Sequence, residues 1–239
     1  ILKMKRLLFP LALVLASCGD NLTYPTRDPY IGAEAAPLEC VPNLDGRIDA
    51  TELRAAIGVP LRYLASPPGI SRGVDVVGGI NPQNQRVWDL AVDYADDRVA
   101  TIEASAVTSH WFAASFPTGQ WAAPLDLGGS ILGVYVHDGE NVLLLGYATR
   151  DENPPTGKTL VVYSQPIAVY RFPLEPGKTR ISVSNVVNAV VQGLPFAGRD
   201  SYEFRVESSG QLELPDVTFT QALRVRTTTT IEPAVGPVI

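Results

Sequence analysis

Histidine, methionine and cysteine are scarce in this chain: two His, one Met and two Cys among 239 residues. No Cys-x-x-Cys pair and no Cys/His cluster occurs, which removes the usual zinc donor sets. His-Glu-x-x-His, a phosphate-cradling loop, a dinucleotide fingerprint and Gly-x-Ser-x-Gly are also missing. Lys and Arg form no cluster and the net charge is −6, so nucleic acid is excluded as a partner. The same balance argues against electrostatic adhesion to anionic lipid. No apolar run reaches the roughly 20 residues that a membrane-spanning helix needs.

Gly and Pro are abundant, at 20 each, and Val and Thr are common. That mixture suits short strands joined by many turns. From residue 73 onward the pattern alternates with a period of two. Ile181 and Val183 alternate with Arg180 and Ser182; Tyr202, Phe204 and Val206 alternate with Glu203 and Arg205; Leu223 and Val225 alternate with Arg224 and Arg226. The runs 131–136, 142–145 and 160–163 are apolar on both faces and read as central strands. Asp138-Gly139-Glu140-Asn141 reads as a hairpin turn, residues 151–157 as a looser connection, Pro176-Gly177 as a turn, and Ser208-Ser209-Gly210 as another. The expected class is all-β, an antiparallel sandwich or partly open barrel. One short N-terminal helix is expected over 51–57: Asp49-Ala50-Thr51-Glu52 forms a capping box, Gly58 a stop, and Pro60 prevents continuation.

The N-terminus has a positive head, Lys5 and Arg6, then ten apolar residues, 7–16. This is a secretory-leader pattern, with Met4 as the expected start. Leu15-Ala16-Ser17-Cys18 resembles the lipobox of bacterial lipoproteins. The resemblance implies cleavage before Cys18, lipid attachment to Cys18, and a membrane partner held through N-terminal acyl chains. Two or more chains anchor firmly where one does not. Gly19 after the cysteine favours the outer membrane by the family's sorting rule, while Asp20 pulls the other way.

The expected organisation is a leader over 1–17, a flexible tether over 18–38, a lead-in with a turn and short helix over 39–66, and a β domain over 67–239. The end of the chain carries no polar tail, so the reading frame is expected to continue past Ile239. Cys40 is then the one cysteine not used by lipid. It is either a small buried hydrophobe or half of a disulfide with a residue outside the chain.

Asn43-Leu44-Asp45-Gly46-Arg47-Ile48-Asp49, with Glu52, resembles the later part of an EF-hand or dockerin loop. That resemblance implies calcium ligands at Asn43, Asp45, Asp49 and Glu52, with the carbonyl of Arg47. Val41 stands where the first carboxylate belongs, and Pro42 follows it. A plain turn feeding a capped helix accounts for the same residues, and no cofactor is the preferred reading.

His110 and His137 are read as structural. Asp93, Asp96 and Asp97 are read as a solvated turn, not as the paired carboxylates of glycoside chemistry. Trp88, Trp111, Trp121, Phe112 and Phe116 are core candidates that could instead line a groove. Phe116-Pro117-Thr118-Gly119-Gln120-Trp121, Leu143-Leu144-Leu145-Gly146, Arg171-Phe172-Pro173-Leu174 and Gly210-Gln211-Leu212-Glu213-Leu214-Pro215 resemble landmarks of β-rich bacterial envelope lipoproteins. Open-barrel carriers of acyl chains share a similar pattern, a fold-level analogy alone. The reading preferred is a non-catalytic binding or interaction module, with a small apolar molecule, a glycan or an envelope protein as ligand. A secreted hydrolase with an unrecognised active site and a structural envelope component are the alternatives.

Overall fold

A computed structural model describes residues 43–235. Twelve strands follow one another: β1 (Pro60–Ala65), β2 (Gly79–Ile80), β3 (Arg86–Asp89), β4 (Arg98–Glu103), β5 (Ser105–Ala106), β6 (Trp121–Pro124), β7 (Ile131–His137), β8 (Asn141–Thr149), β9 (Leu160–Arg171), β10 (Thr179–Val191), β11 (Leu194–Glu213) and β12 (Thr218–Pro233). The fold is all-β and does not close into a barrel. A ten-stranded sheet runs in the order β2-β3-β11-β10-β9-β8-β7-β6-β5, with β12 added to β11. β1 and β4 form a separate two-stranded sheet. Between these described strands every pairing is antiparallel except β3 with β11. The apolar runs read as central strands are β7, β8 and the start of β9, each flanked on both sides.

The Asp138 turn forms because its carboxylate accepts the backbone N–H groups of Glu140 (2.9 Å) and Asn141 (2.6 Å). Ser208-Ser209-Gly210 is not a turn. β11 runs through it, with register shifts near Val206 and Gly210 that absorb the interruption. Gly210 is required there by a close crossing: a Cβ would stand 2.5 Å from the Arg86 carbonyl oxygen.

The ladder is interrupted at β9. Pro166 offers no N–H to the ladder, and paired positions between β9 and β10 are sparse, Val186 with Tyr163 and Val190 with Leu160. Two serine hydroxyls accept the freed donors: Ser182 Oγ takes the Ala168 N–H (3.0 Å) and Ser184 Oγ the Gln165 N–H (3.1 Å).

The two faces of the central strands carry different cores. Leu132, Val134, Leu145 and Ala148 pack under Phe112 and Phe116, which two 3-10 turns, Val107–Ser109 and Ala113–Ser115, lay across the sheet. Leu144, Val161, Tyr163, Ile167 and Val186 form the opposite core, with Tyr135, Tyr147 and Tyr202 against it. A register shift between Leu144 and Gly146 lets Leu144 and Tyr147, three residues apart, join the same side.

The helix expected over 51–57 does not form. Half of the capping box does: Glu52 Oε2 accepts the Asp49 N–H at 2.8 Å. The chain then makes one turn and leaves, and Ile57 enters a parallel bridge with Ala104. Seven residues are too few to offset helix nucleation, and pairing with the sheet satisfies the Gly58 N–H instead, at 2.8 Å to Ala104 O. β1, in the segment read as a lead-in, likewise pairs with β4.

Candidate functional site

Four strands of the large sheet send aromatic rings toward one cavity. Trp121 of β6 is the cross-strand partner of Tyr135 of β7. Their rings stack at 5.7 Å and 15°. Gly133 makes room for this arrangement: a Cβ there would lie 2.7 Å from the Tyr135 hydroxyl and 2.9 Å from its ring. Tyr170 of β9 meets Phe204 edge-on at 5.3 Å, and Tyr202 of β11 completes the wall.

The opposite wall comes from residues 53–59, Leu61 of β1, and Ile102 and Ala104 at the end of β4. The segment that carries residues 53–59 is fastened at both ends. Ile48 and Leu174 exchange backbone hydrogen bonds of 3.1 and 2.8 Å, and Gly58 bonds to Ala104. Between the walls is a cavity of about 540 Å³. Small-molecule sites fall in the range of roughly 300–1,000 Å³, with apolar walls and few convergent polar groups. This one matches, because among the described residues Arg54 is the one charged residue lining it. Another hollow, about 520 Å³, lies beside Arg47, Glu52, Arg86 and Ser209. It lacks an aromatic wall, so the aromatic-walled cavity is the stronger candidate.

Burial raises the pKa of the Tyr135, Tyr170 and Tyr202 hydroxyls, so all three stay protonated. Behind Tyr202 sits Asp200, which is 1% exposed. Its Oδ2 accepts the Tyr163 hydroxyl at 2.8 Å, and the Tyr163 oxygen is 3.3 Å from the Tyr202 hydroxyl. Oδ1 has no partner. Burial pushes the Asp200 carboxyl above the usual range, against the Tyr163 hydrogen bond.

Of the aromatics singled out in the sequence, Trp121 alone lines the cavity. Phe112 and Phe116 are buried in the opposite core with Trp111 packed against them, and Trp88 is buried in β3. Tyr135, Tyr170 and Tyr202 were not singled out. Tyr135 stands in a run that reads as apolar on both faces, and nothing in such a run marks which face surrounds empty space.

Cys18 and Cys40 lie outside the described residues. In the acidic loop, the donors do not converge on a cation. The Arg47 guanidinium sits on Asp45 (3.0 Å) and Asp49 (3.3 Å). Asn43 Oδ1 accepts the Asp45 N–H at 3.1 Å, and Asp45 Oδ1 the Arg47 N–H at 3.1 Å. The two Glu52 oxygens accept the N–H groups of Asn43 (2.9 Å) and Asp49 (2.8 Å). No three His, Cys, Asp or Glu side chains among the described residues could hold a metal ion. These residues do not fit calcium.

Asp96 and Asp97 are both gripped by Arg72, at 2.8 and 2.5 Å, and Arg72 in turn lies 3.8 Å over the Tyr94 ring. The Arg72 hydrogen bond holds Asp96 below its usual range. Asp93 is exposed in the same stretch. His137 accepts the Gly139 N–H at Nδ1 (3.1 Å) and stacks on Phe172 at 5.5 Å. His110 lies parallel to Phe112, with Nε2 2.7 Å from Ser105 Oγ.

No protein-family model, no curated protein and no solved structure matches this chain.

Proposed function

We propose that this chain is a lipid-anchored envelope protein that acts as a non-catalytic binding module and takes a small, largely apolar molecule into the aromatic-walled cavity. The cavity carries the reading: an aromatic space of about 540 Å³ with one charged residue on its walls among the described residues. The anchor rests on Leu15-Ala16-Ser17-Cys18, and the outer membrane on Gly19.

A serine-nucleophile form of the hydrolase alternative would use Ser105 and His110, which are within hydrogen-bond distance. A serine nucleophile needs an imidazolium that is stabilised from behind by a carboxylate. Burial and the nearby Arg150 cation instead lower the His110 pKa. Among the described residues, the hydrogen bond of the His110 ring is the one to Ser105. That environment opposes the charge that general-base catalysis must create.

The test uses the full chain with Cys18→Ser, which needs no detergent, and the neutral fluorescent probe 1-aminoanthracene. Saturable binding is expected, and Ala123→Phe, which puts a ring into the cavity from β6, should abolish it while leaving the unfolding midpoint nearly unchanged. Absence of binding, or undiminished binding by Ala123→Phe, would overturn the reading. For the anchor, Cys18→Ser should abolish labelling by a fatty-acid analogue; unchanged labelling would remove that part of the proposal.

A further inference from the structure

We infer that the cavity is shaped for an uncharged, ring-bearing molecule that carries a hydrogen-bond-accepting oxygen. This rests on the binding reading above and narrows the ligand class.

The walls exclude charge. Among the described residues Arg54 is the one charged residue lining the cavity, and it is not without a partner. No carboxylate is found among the described residues that line it. A buried charge without a partner is strongly disfavoured, so an ionised ligand would leave water without compensation.

The walls also favour flatness. Trp121 and Tyr135 lie nearly parallel, stacked on one another and supported by Gly133. Tyr170 and Tyr202 extend the aromatic surface, and Val142 and Val169 fill between them. Rings stack on rings with a gain beyond area burial, which a flexible chain does not obtain.

The hydroxyls decide the polarity of the ligand. Tyr163 donates its one hydroxyl hydrogen to Asp200 Oδ2. Its oxygen must then accept from Tyr202, 3.3 Å away. The Tyr202 donor is therefore used within the protein. Tyr135 and Tyr170 differ: among the described residues no group hydrogen-bonds either hydroxyl, and neither is sealed from open space. Two hydroxyl donors remain on a largely apolar wall that also holds the Trp121 indole and Thr227, and an acceptor oxygen on the ligand would satisfy them.

The experiment compares three molecules on the full chain with Cys18→Ser, each displacing 1-aminoanthracene: coumarin (two fused rings with a carbonyl), naphthalene (two fused rings without oxygen) and decanoate (a charged chain). Coumarin is expected to bind about fivefold to tenfold more tightly than naphthalene, the worth of one neutral hydrogen bond, and more tightly than decanoate. In the double variant Tyr135→Phe, Tyr170→Phe, coumarin and naphthalene, both measured on that variant, should bind about equally. Equal binding of coumarin and naphthalene, tightest binding of decanoate, or an unchanged coumarin preference in the double variant would overturn the ligand class. In each of those cases saturable 1-aminoanthracene binding keeps the binding reading standing. Failure of the probe itself removes both.

Discussion

Adjacent residues of β7 face two different interiors. Leu132 and Val134, at 2% and 0% exposure, are sealed beneath Phe112 and Phe116. Gly133 and Tyr135 point the other way, toward the cavity. On the first side, the two 3-10 turns close over the sheet and fill it to core density. On the second, the cover is a segment pinned at Ile48 and Gly58 and the small β1–β4 sheet, and a cavity of about 540 Å³ is left between them and the large sheet. Both faces carry a core, and on the second the core of Leu144, Val161 and Ile167 stands beside a cavity with room for a ligand.

That contrast is broken most strongly at Phe112. Phe112→Ala removes a fully buried ring and should lower stability by about 3–5 kcal/mol, read by urea unfolding. A loss below about 1 kcal/mol would mean that the face under the turns is not a packed core. Gly133→Ala sharpens the contrast from the other side. Its Cβ would strike the Tyr135 ring, so Tyr135 must tilt off the sheet. The expected cost is about 1–3 kcal/mol, with weakened 1-aminoanthracene binding. Loss of stability with probe affinity unchanged would show that the orientation of Tyr135 does not shape the cavity.

A smaller effect is expected at Asp200. Burial holds its folded-state pKa above the unfolded value. The folded chain therefore binds more protons in that interval, and stability falls as pH rises through it. At neutral pH the carboxylate is a burden. Asp200→Asn keeps an acceptor for Tyr163 and should raise stability by about 1 kcal/mol at neutral pH. It should also flatten the pH dependence from the carboxylate range upward. Lower stability of the variant at neutral pH would show that the charge is favourable to the fold.

The strand content was legible because alternation is a backbone rule. Each half-wet strand announces its period, and the Asp138 turn announces its side-chain acceptor. The helix over 51–57 was misread because its cap is real. Glu52 does reach the Asp49 N–H, but a seven-residue helix competes poorly with a bridge to Ala104 that sequence spacing does not reveal. Ser208-Ser209-Gly210 was misread for a related reason: Gly210 is there because Arg86 crosses it, a contact between residues far apart in the chain. The cavity was the least legible feature. Trp121, Tyr135, Tyr170 and Tyr202 look like ordinary core aromatics, and whether a ring meets another side chain or empty space depends on what covers the sheet.

The contrast between the faces is tested most directly by the two tryptophans that stand on them. Trp111 packs against the filled core, its indole N–H donates to Thr149 O at 2.9 Å, and Lys158 lies 4.0 Å over its ring. Trp121 lines the cavity. Two single-tryptophan chains, one keeping Trp111 and one keeping Trp121 with the others replaced by Phe, would be titrated with bromobenzene, an apolar quencher that acts at contact. Saturable quenching of Trp121 with Trp111 unaffected is the expected result. Equal quenching of both, or quenching of neither, would contradict a sheet with one filled face and one that leaves a cavity for a ligand.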